Sequence, residues 1–131
     1  MKKLSYVIAI VLLVGIFATP AIAFKAAFLI MAPDGDPYKY RAYIKTSKIE
    51  LISAIVEYNN IDQAVNVCKD LIQKEGVQAI YLCPGFNNEA VAKVASAVGQ
   101  GVPVSVSRGD VPGTMITGDI LAKEGWFPEG H

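Results

Sequence analysis

Histidine is almost missing from this 131-residue chain: the single imidazole is His131, the last residue. A Ser/His/Asp or Cys/His arrangement needs a base held inside the fold, and a terminal residue is no credible one. Cysteine is nearly as scarce. None precedes Cys68, which excludes a lipid-modified N-terminal cysteine. Cys and His at zinc-ligand spacing are lacking. So are G-x-x-x-x-G-K-[ST] and G-x-G-x-x-G, which argues against a P-loop and against a dinucleotide fingerprint. No Lys/Arg-rich run follows residue 24, so the clustered positive charge that a phosphate backbone requires is absent, and nucleic acid is not an expected partner. No repeat or low-complexity tract occurs, and no motif calls for a cofactor.

What is present begins with an export pattern. Lys2 and Lys3 form a positive start, residues 6–18 are an almost unbroken apolar run, and Thr19-Pro20 breaks it. Ala21 and Ala23 then place small residues where a signal peptidase accepts them, so residues 1–23 read as a signal peptide cut before Phe24. The alternative is an uncleaved anchor, since residues 4–24 reach the roughly 20 residues that a spanning helix needs. Membrane contact is expected only through this segment. The mature protein is expected outside the cytoplasm: extracellular, periplasmic or at the cell surface. Losing two lysines leaves ten basic residues against twelve acidic ones, a net charge of −2.

The remaining chain is long enough for one domain. Short continuous apolar runs, the mark of strands buried on both faces, alternate with helical periodicity. Residues 25–32 form the first such run and stop at Pro33-Asp34-Gly35-Asp36-Pro37. Asp36-Pro37 reads as the N-cap and first position of a helix reaching about Ser47. Residues 49–56 are a second strand. Asp62 caps a helix with Val65, Cys68, Leu71 and Ile72 inward, an Asp70/Lys74 pair outside and Gly76 at its end. Residues 77–83 are a third strand; Ala90, Val91, Val94, Ala95 and Val98 share one face of the next helix; residues 102–107 are a fourth strand. The expectation is a small Rossmann-like α/β fold: a four-stranded parallel open sheet, order 2-1-3-4, with helices on both faces. The domain spans residues 24–110. The tail, 111–131, has four glycines and two prolines and is expected to be irregular beyond a turn of helix near 119–123. Counted from Gly76, Cys68 stands roughly 11 Å up its helix and Cys83 roughly 20 Å up its strand, in layers about 10 Å apart. A bridge needs Cα atoms within ~7 Å, so both thiols are expected to be free.

Parallel sheets bind ligands beyond the carboxyl ends of their strands. That rule gathers Asp34, Asp36, Glu57, Tyr58, Asn59, Asn87, Asn88, Arg108 and Asp110 at one rim, beside helix N-termini able to meet an anion. Asp34, Tyr58, Asn87, Asn88, Arg108 and Asp110 are the candidate ligand contacts. Asp36, Asp62 and Asn87 have a competing duty as helix caps. Arg108 is open between a ligand contact and a salt bridge. The Arg108-Gly109-Asp110 adhesion tripeptide is attributed to chance. Cys83, at a strand end near a helix N-terminus, is the weak candidate for a catalytic nucleophile, with packing as its alternative. Asp34, Asp36, Glu57 and Asp110 could share a Mg²⁺ or Ca²⁺, or face solvent.

Residues 24–110 resemble a small uncharacterised family of stand-alone α/β proteins, a domain of unknown function. The carrying residues are Lys25-Ala-Ala-Phe, Ala32-Pro-x-x-Asp36-Pro, the strand at 49–56 and Ile80-x-x-Cys83-x-Gly85-Phe-x-Asn88-Glu. The resemblance implies the fold and no activity. Residues 60–110 are also loosely similar to the N-terminal lobe of type I periplasmic sugar-binding proteins. There a strand ends in a Pro-containing loop, and a later strand leads to a ligand-binding Asp and Arg. That likeness implies Asp34, Asn87, Arg108 and Asp110 as contacts. This chain departs from it in having one lobe and a reversed Asp/Arg order; a single lobe would need to dimerise across the rim to bind tightly.

Three readings follow. The first is an exported binding domain for a small polar or anionic ligand at the strand ends. The second is a small enzyme using Cys83 or the Asp34/Asp110 carboxylates, with Mg²⁺ as a candidate ion. The third is a domain that binds a protein partner and no small ligand.

Overall fold

A computed structural model of the chain describes residues 23–127. The segment assigned to export lies outside them except for Ala23. The apolar run after the export segment forms the central strand β1 (Phe24–Ala32). After it come β2 (Arg41–Lys45), β3 (Ile49–Glu57), α1 (Ile61–Glu75), β4 (Ala79–Leu82), α2 (Asn88–Val98), β5 (Val104–Val106) and α3 (Val111–Lys123).

The sheet has five strands in the order β2-β3-β1-β4-β5 and is mixed, not the four-stranded parallel sheet expected. β3, β1, β4 and β5 run parallel in the 2-1-3-4 arrangement. The fifth strand, β2, pairs antiparallel with β3 at the edge, Arg41 opposite Ala54 and Lys45 opposite Glu50. It occupies the place where a helix to Ser47 was expected. Asp36 does start a turn: its Oδ1 accepts from the Tyr38 and Lys39 amides at 2.9 and 3.2 Å, and its carbonyl accepts from the Tyr40 amide at 2.8 Å. One turn is all that forms. From Arg41 the period becomes two, and Tyr43, Ile44 and Thr46 are strand-favouring types. Thr46 then closes a hairpin: its amide donates to the Ile49 carbonyl at 2.8 Å, and its hydroxyl oxygen accepts from the Lys48 and Ile49 amides.

Among the described residues, α1 and α2 cover one face of the sheet and no helix lies across the middle of the other. Ala64, Val67, Cys68 and Leu71 of α1 and Ala90 and Val94 of α2 are buried in a single core with Leu29, Ile52, Val56, Ile80 and Leu82. Phe86, wholly buried, plugs that core at the strand ends. Asn60, not Asp62, caps α1, accepting from the Gln63 amide at 3.1 Å. Asp62 sits in the first turn, where its charge still favours the helix dipole. Gly76 ends α1 at φ 73°, its amide and that of Val77 closing the last turn on Ile72 and Leu71. The tail expected to be irregular carries the 13-residue helix α3. Asp110 caps it and Pro112 lies in its first turn, both residues suited to a helix start. Both cysteines are free.

Candidate functional site

Four loops meet beyond the carboxyl ends of the parallel strands, and α3 stands over them. Between helix and sheet lies a cavity of about 600 Å³. Its floor is made by the ends of β1 and β4, with Ile30, Met31, Cys83 and Gly85. Gly85 keeps the floor open between two sulfurs: a Cβ there would lie 3.4 Å from Cys83 Sγ and 3.5 Å from Met31 Sδ. One wall is the inward side of α3, with Thr114, Thr117, Gly118 and Leu121. These positions recur at three and four residues, which places them along one stripe of the helix. Tyr58, Trp126 and Phe127 line it as well, with Pro84, Gly109 and Gly113 at its edge. The Tyr58 and Phe127 rings meet edge to face, their centroids 6.1 Å apart at 61°.

No residue lining this cavity carries a formal charge. The polar side-chain groups of its lining are hydroxyls, a thiol and the Trp126 indole N–H. Thr114 Oγ1 donates to the Asp110 carbonyl at 2.7 Å, which leaves its lone pairs for an incoming donor. Cys83 Sγ accepts a hydrogen bond from the Met31 amide at 3.4 Å, which holds the sulfur against the floor. The other thiol, Cys68, is sealed in the core, where burial pushes its pKa up to about 12.

Of the residues picked out from sequence, Tyr58 and Cys83 reach this cavity and the others do not line it. The Arg108 guanidinium is committed to the chain itself. Nη1 donates to the Phe86 carbonyl at 2.9 Å and the Pro84 carbonyl at 3.4 Å, and Nη2 donates to Asn88 Oδ1 at 2.9 Å. That fork ties the segment after β5 to the loop after β4. Asn87 caps α2, accepting from the Ala90 amide at 2.8 Å, and Asp110 caps α3, accepting from the Gly113 amide at 2.9 Å. With Arg108 clamped and Asp110 capping, the adhesion tripeptide is held as part of the fold. Asp34 and Asp36 are exposed in the loop after β1. Asn59, with a left-handed φ of 61°, lines a shallower groove with Glu57, Asn60, Asp62 and Lys93. Among the described residues, no three His, Cys, Asp or Glu side chains gather closely enough to hold a metal ion. The carboxylates of Asp34, Asp36, Glu57 and Asp110 thus form no such group.

Sequence reasoning missed the whole far wall. Its trace is nevertheless in the sequence: Leu121, Trp126 and Phe127 stand in a tail that would be more polar if it were loose.

Residues 24–115 match a family of unknown function, DUF6506, and the chain belongs to that family. No curated protein and no solved structure matches it, so the likeness of residues 60–110 to sugar-binding proteins has no counterpart in these comparisons.

Proposed function

We infer that this member of the DUF6506 family is a binding domain whose ligand is a small, uncharged molecule with an apolar body, held under α3. The observation that carries this reading is the 600 Å³ cavity with no charged residue in its lining. Its volume falls in the roughly 300–1,000 Å³ range of ligand sites. An anion entering it would lose its hydration with no cation to compensate. The anion-binding ends of α1, α2 and α3 are also taken, by the side chains of Asn60, Asn87 and Asp110. The reading therefore keeps the strand-end location but exchanges a polar or anionic ligand for a neutral one. Tyr58, Trp126 and Phe127 would offer ring faces and edges to its body, and the Thr114 and Thr117 hydroxyls its orienting hydrogen bonds.

A thermal-shift panel tests it, comparing neutral aromatic and aliphatic compounds with sugars, organic acids, phosphate and Mg²⁺. A ligand at a hundred times its Kd stabilises by about 2.7 kcal/mol. That amounts to roughly 10–20 °C in Tm for a domain near 100 residues. The control is Gly118→Leu: Gly118 lines the cavity and a Cβ there meets nothing within 4 Å. A shift with neutral compounds that is lost in Gly118→Leu, while that variant's own Tm holds, supports the reading. A shift confined to anions or Mg²⁺ and kept in Gly118→Leu refutes it.

A second reading has its own observation, the Cys83 sulfur on the cavity floor. There the domain is an enzyme and Cys83 its nucleophile. Cys83→Ser separates the two, leaving binding intact under the first reading and abolishing turnover under the second.

A further inference from the structure

We propose that the protein forms a two-fold dimer in which the helix-free faces of two sheets pack against each other. All-parallel sheets occur almost only with both faces covered, and four of the five strands here run parallel. Here α1 and α2 share one face, and among the described residues no helix lies across the middle of the other.

The distribution of charge says which face the sequence treats as interior. Side chains alternate across a strand. Lys25, Arg41, Lys45 and Glu50 fall in the register that faces the helices' side, where they pair: Lys25 with Glu50 at 3.5 Å, Lys45 with Glu50 at 3.3 Å, and Arg41 with Glu75 of α1 at 2.8 Å. The opposite register carries Phe24, Phe28, Ile44, Ile49, Leu51 and Tyr81, and its first charge is Glu57, at the very end of β3. A sheet face meant for water shows the reverse, polar outside and apolar inside. On this face Ile44 is 57 % exposed, Phe24 42 %, Tyr81 41 % and Ile49 38 %.

Area and symmetry point to a second copy as the cover. Side chains of this size at these exposures present on the order of 500 Å² of apolar surface, near the upper end of what a monomer leaves open. With a polar rim this approaches the ~800 Å² per partner of a standard interface. A two-fold axis sets a surface against itself, so a charged face would meet its own charge. This one carries no charge before Glu57 at its edge, and two sheets can close to the usual spacing of about 10 Å. Lys45 on the edge strand β2 discourages the competing route, edge-to-edge addition.

The test uses the protein as its host processes it, with the N-terminus read by mass spectrometry. Light scattering should give twice the chain mass at about 50 µM, and hydroxyl-radical footprinting should show Tyr81 shielded, becoming labelled on dilution. Ile44→Glu and Tyr81→Glu each place a charge in the contact and should raise the dimer Kd at least about a hundredfold, a truncation-scale loss at an interface centre. Ile44 lies on the exposed edge strand, so its variant should retain the wild-type circular dichroism. The footprint decides the matter even if Tyr81→Glu fails to fold. A monomeric wild type overturns the proposal, whether Tyr81 is open or shielded by residues 1–22. A dimer that survives Ile44→Glu with Tyr81 labelled throughout also overturns it.

Discussion

Replacing Gly35 with alanine asks whether the rim is as closely fitted as it looks. Gly35 turns the chain just beyond β1, its amide donating to the Ala32 carbonyl at 3.1 Å. A Cβ on it would lie 2.1 Å from the Val56 carbonyl oxygen, 2.2 Å from the Val56 carbonyl carbon and 2.6 Å from the Glu57 nitrogen. Carbon contacts settle at about 3.5 Å or more, so the loop or the strand must withdraw by over ~1 Å. Neither can do so cheaply. The obstacle is backbone, and Val56 and Glu57 are paired with Met31 and Ala32 in the central ladder. The strain should cost about 3–5 kcal/mol, the upper end of overpacking. The lower unfolded-state entropy of alanine returns no more than about 1 kcal/mol. At about 4–8 °C per kcal/mol, Tm should fall by roughly 10–30 °C. Gly76→Ala is the comparison: it has nothing within 4 Å but a φ of 73°, and should cost only the left-handed conformation, about 1–2 kcal/mol. Thermal and urea unfolding of both variants measure the difference. If Gly35→Ala is no more costly than Gly76→Ala, the close approach of the rim loop to β3 is not real.

Arg108→Ala removes the fork to Pro84, Phe86 and Asn88 and should lower stability by about 1–2 kcal/mol, with Arg108→Lys recovering less than half because an ammonium cannot make the fork. An unchanged Tm by calorimetry, together with loss of an anionic ligand, would instead make Arg108 a ligand contact. In the folded protein iodoacetamide should modify Cys83 and spare Cys68, whose thiol burial holds near pKa 12; equal labelling by mass spectrometry at pH 8 would refute the placement of Cys68 in the core.

The parallel part of the fold was legible because its strands are apolar in both registers. A residue-by-residue run such as Ala26 to Ala32 has one stable use, the middle of a layered sheet. Gly76 and the Asn87 cap were legible for a related reason, since each solves a local problem that few other residues solve. The edge strand was not legible. Asp36-Pro37 is a sound helix start, and it does make its turn. What overrules it is pairing with β3, a contact made across a hairpin and invisible to local propensity. The second helical layer was lost with it: remove the helix expected at 37–47 and no helix among the described residues covers the far face of the sheet. The apolar register on that face is thus the residue of a correct inference about burial and an incorrect one about what does the burying.

The site shows why polarity is a poor guide to a binding pocket in so small a domain. Several rim residues with hydrogen-bonding groups sit where a chain end or loop needs those same groups. Asn60, Asn87 and Asp110 satisfy helix amides, Asp36 satisfies a turn, and Arg108 satisfies two carbonyls. Four loops crossing one small rim leave many backbone groups to satisfy, and the nearest polar side chains are consumed in doing so. A recess that survives this competition is lined by what remains: glycines that let backbones approach, ends of core strands, and an apolar tail folded back as α3. Tyr58 escapes the rule because its hydroxyl is remote from its backbone, and its ring packs on Phe127. The consequence is specific. If the cavity under α3 is the site, alanine at Asn87, Asp110 or Arg108 should act on the stability of the rim first. Alanine at Tyr58, Trp126 or Phe127 should act on ligand affinity with little change in Tm.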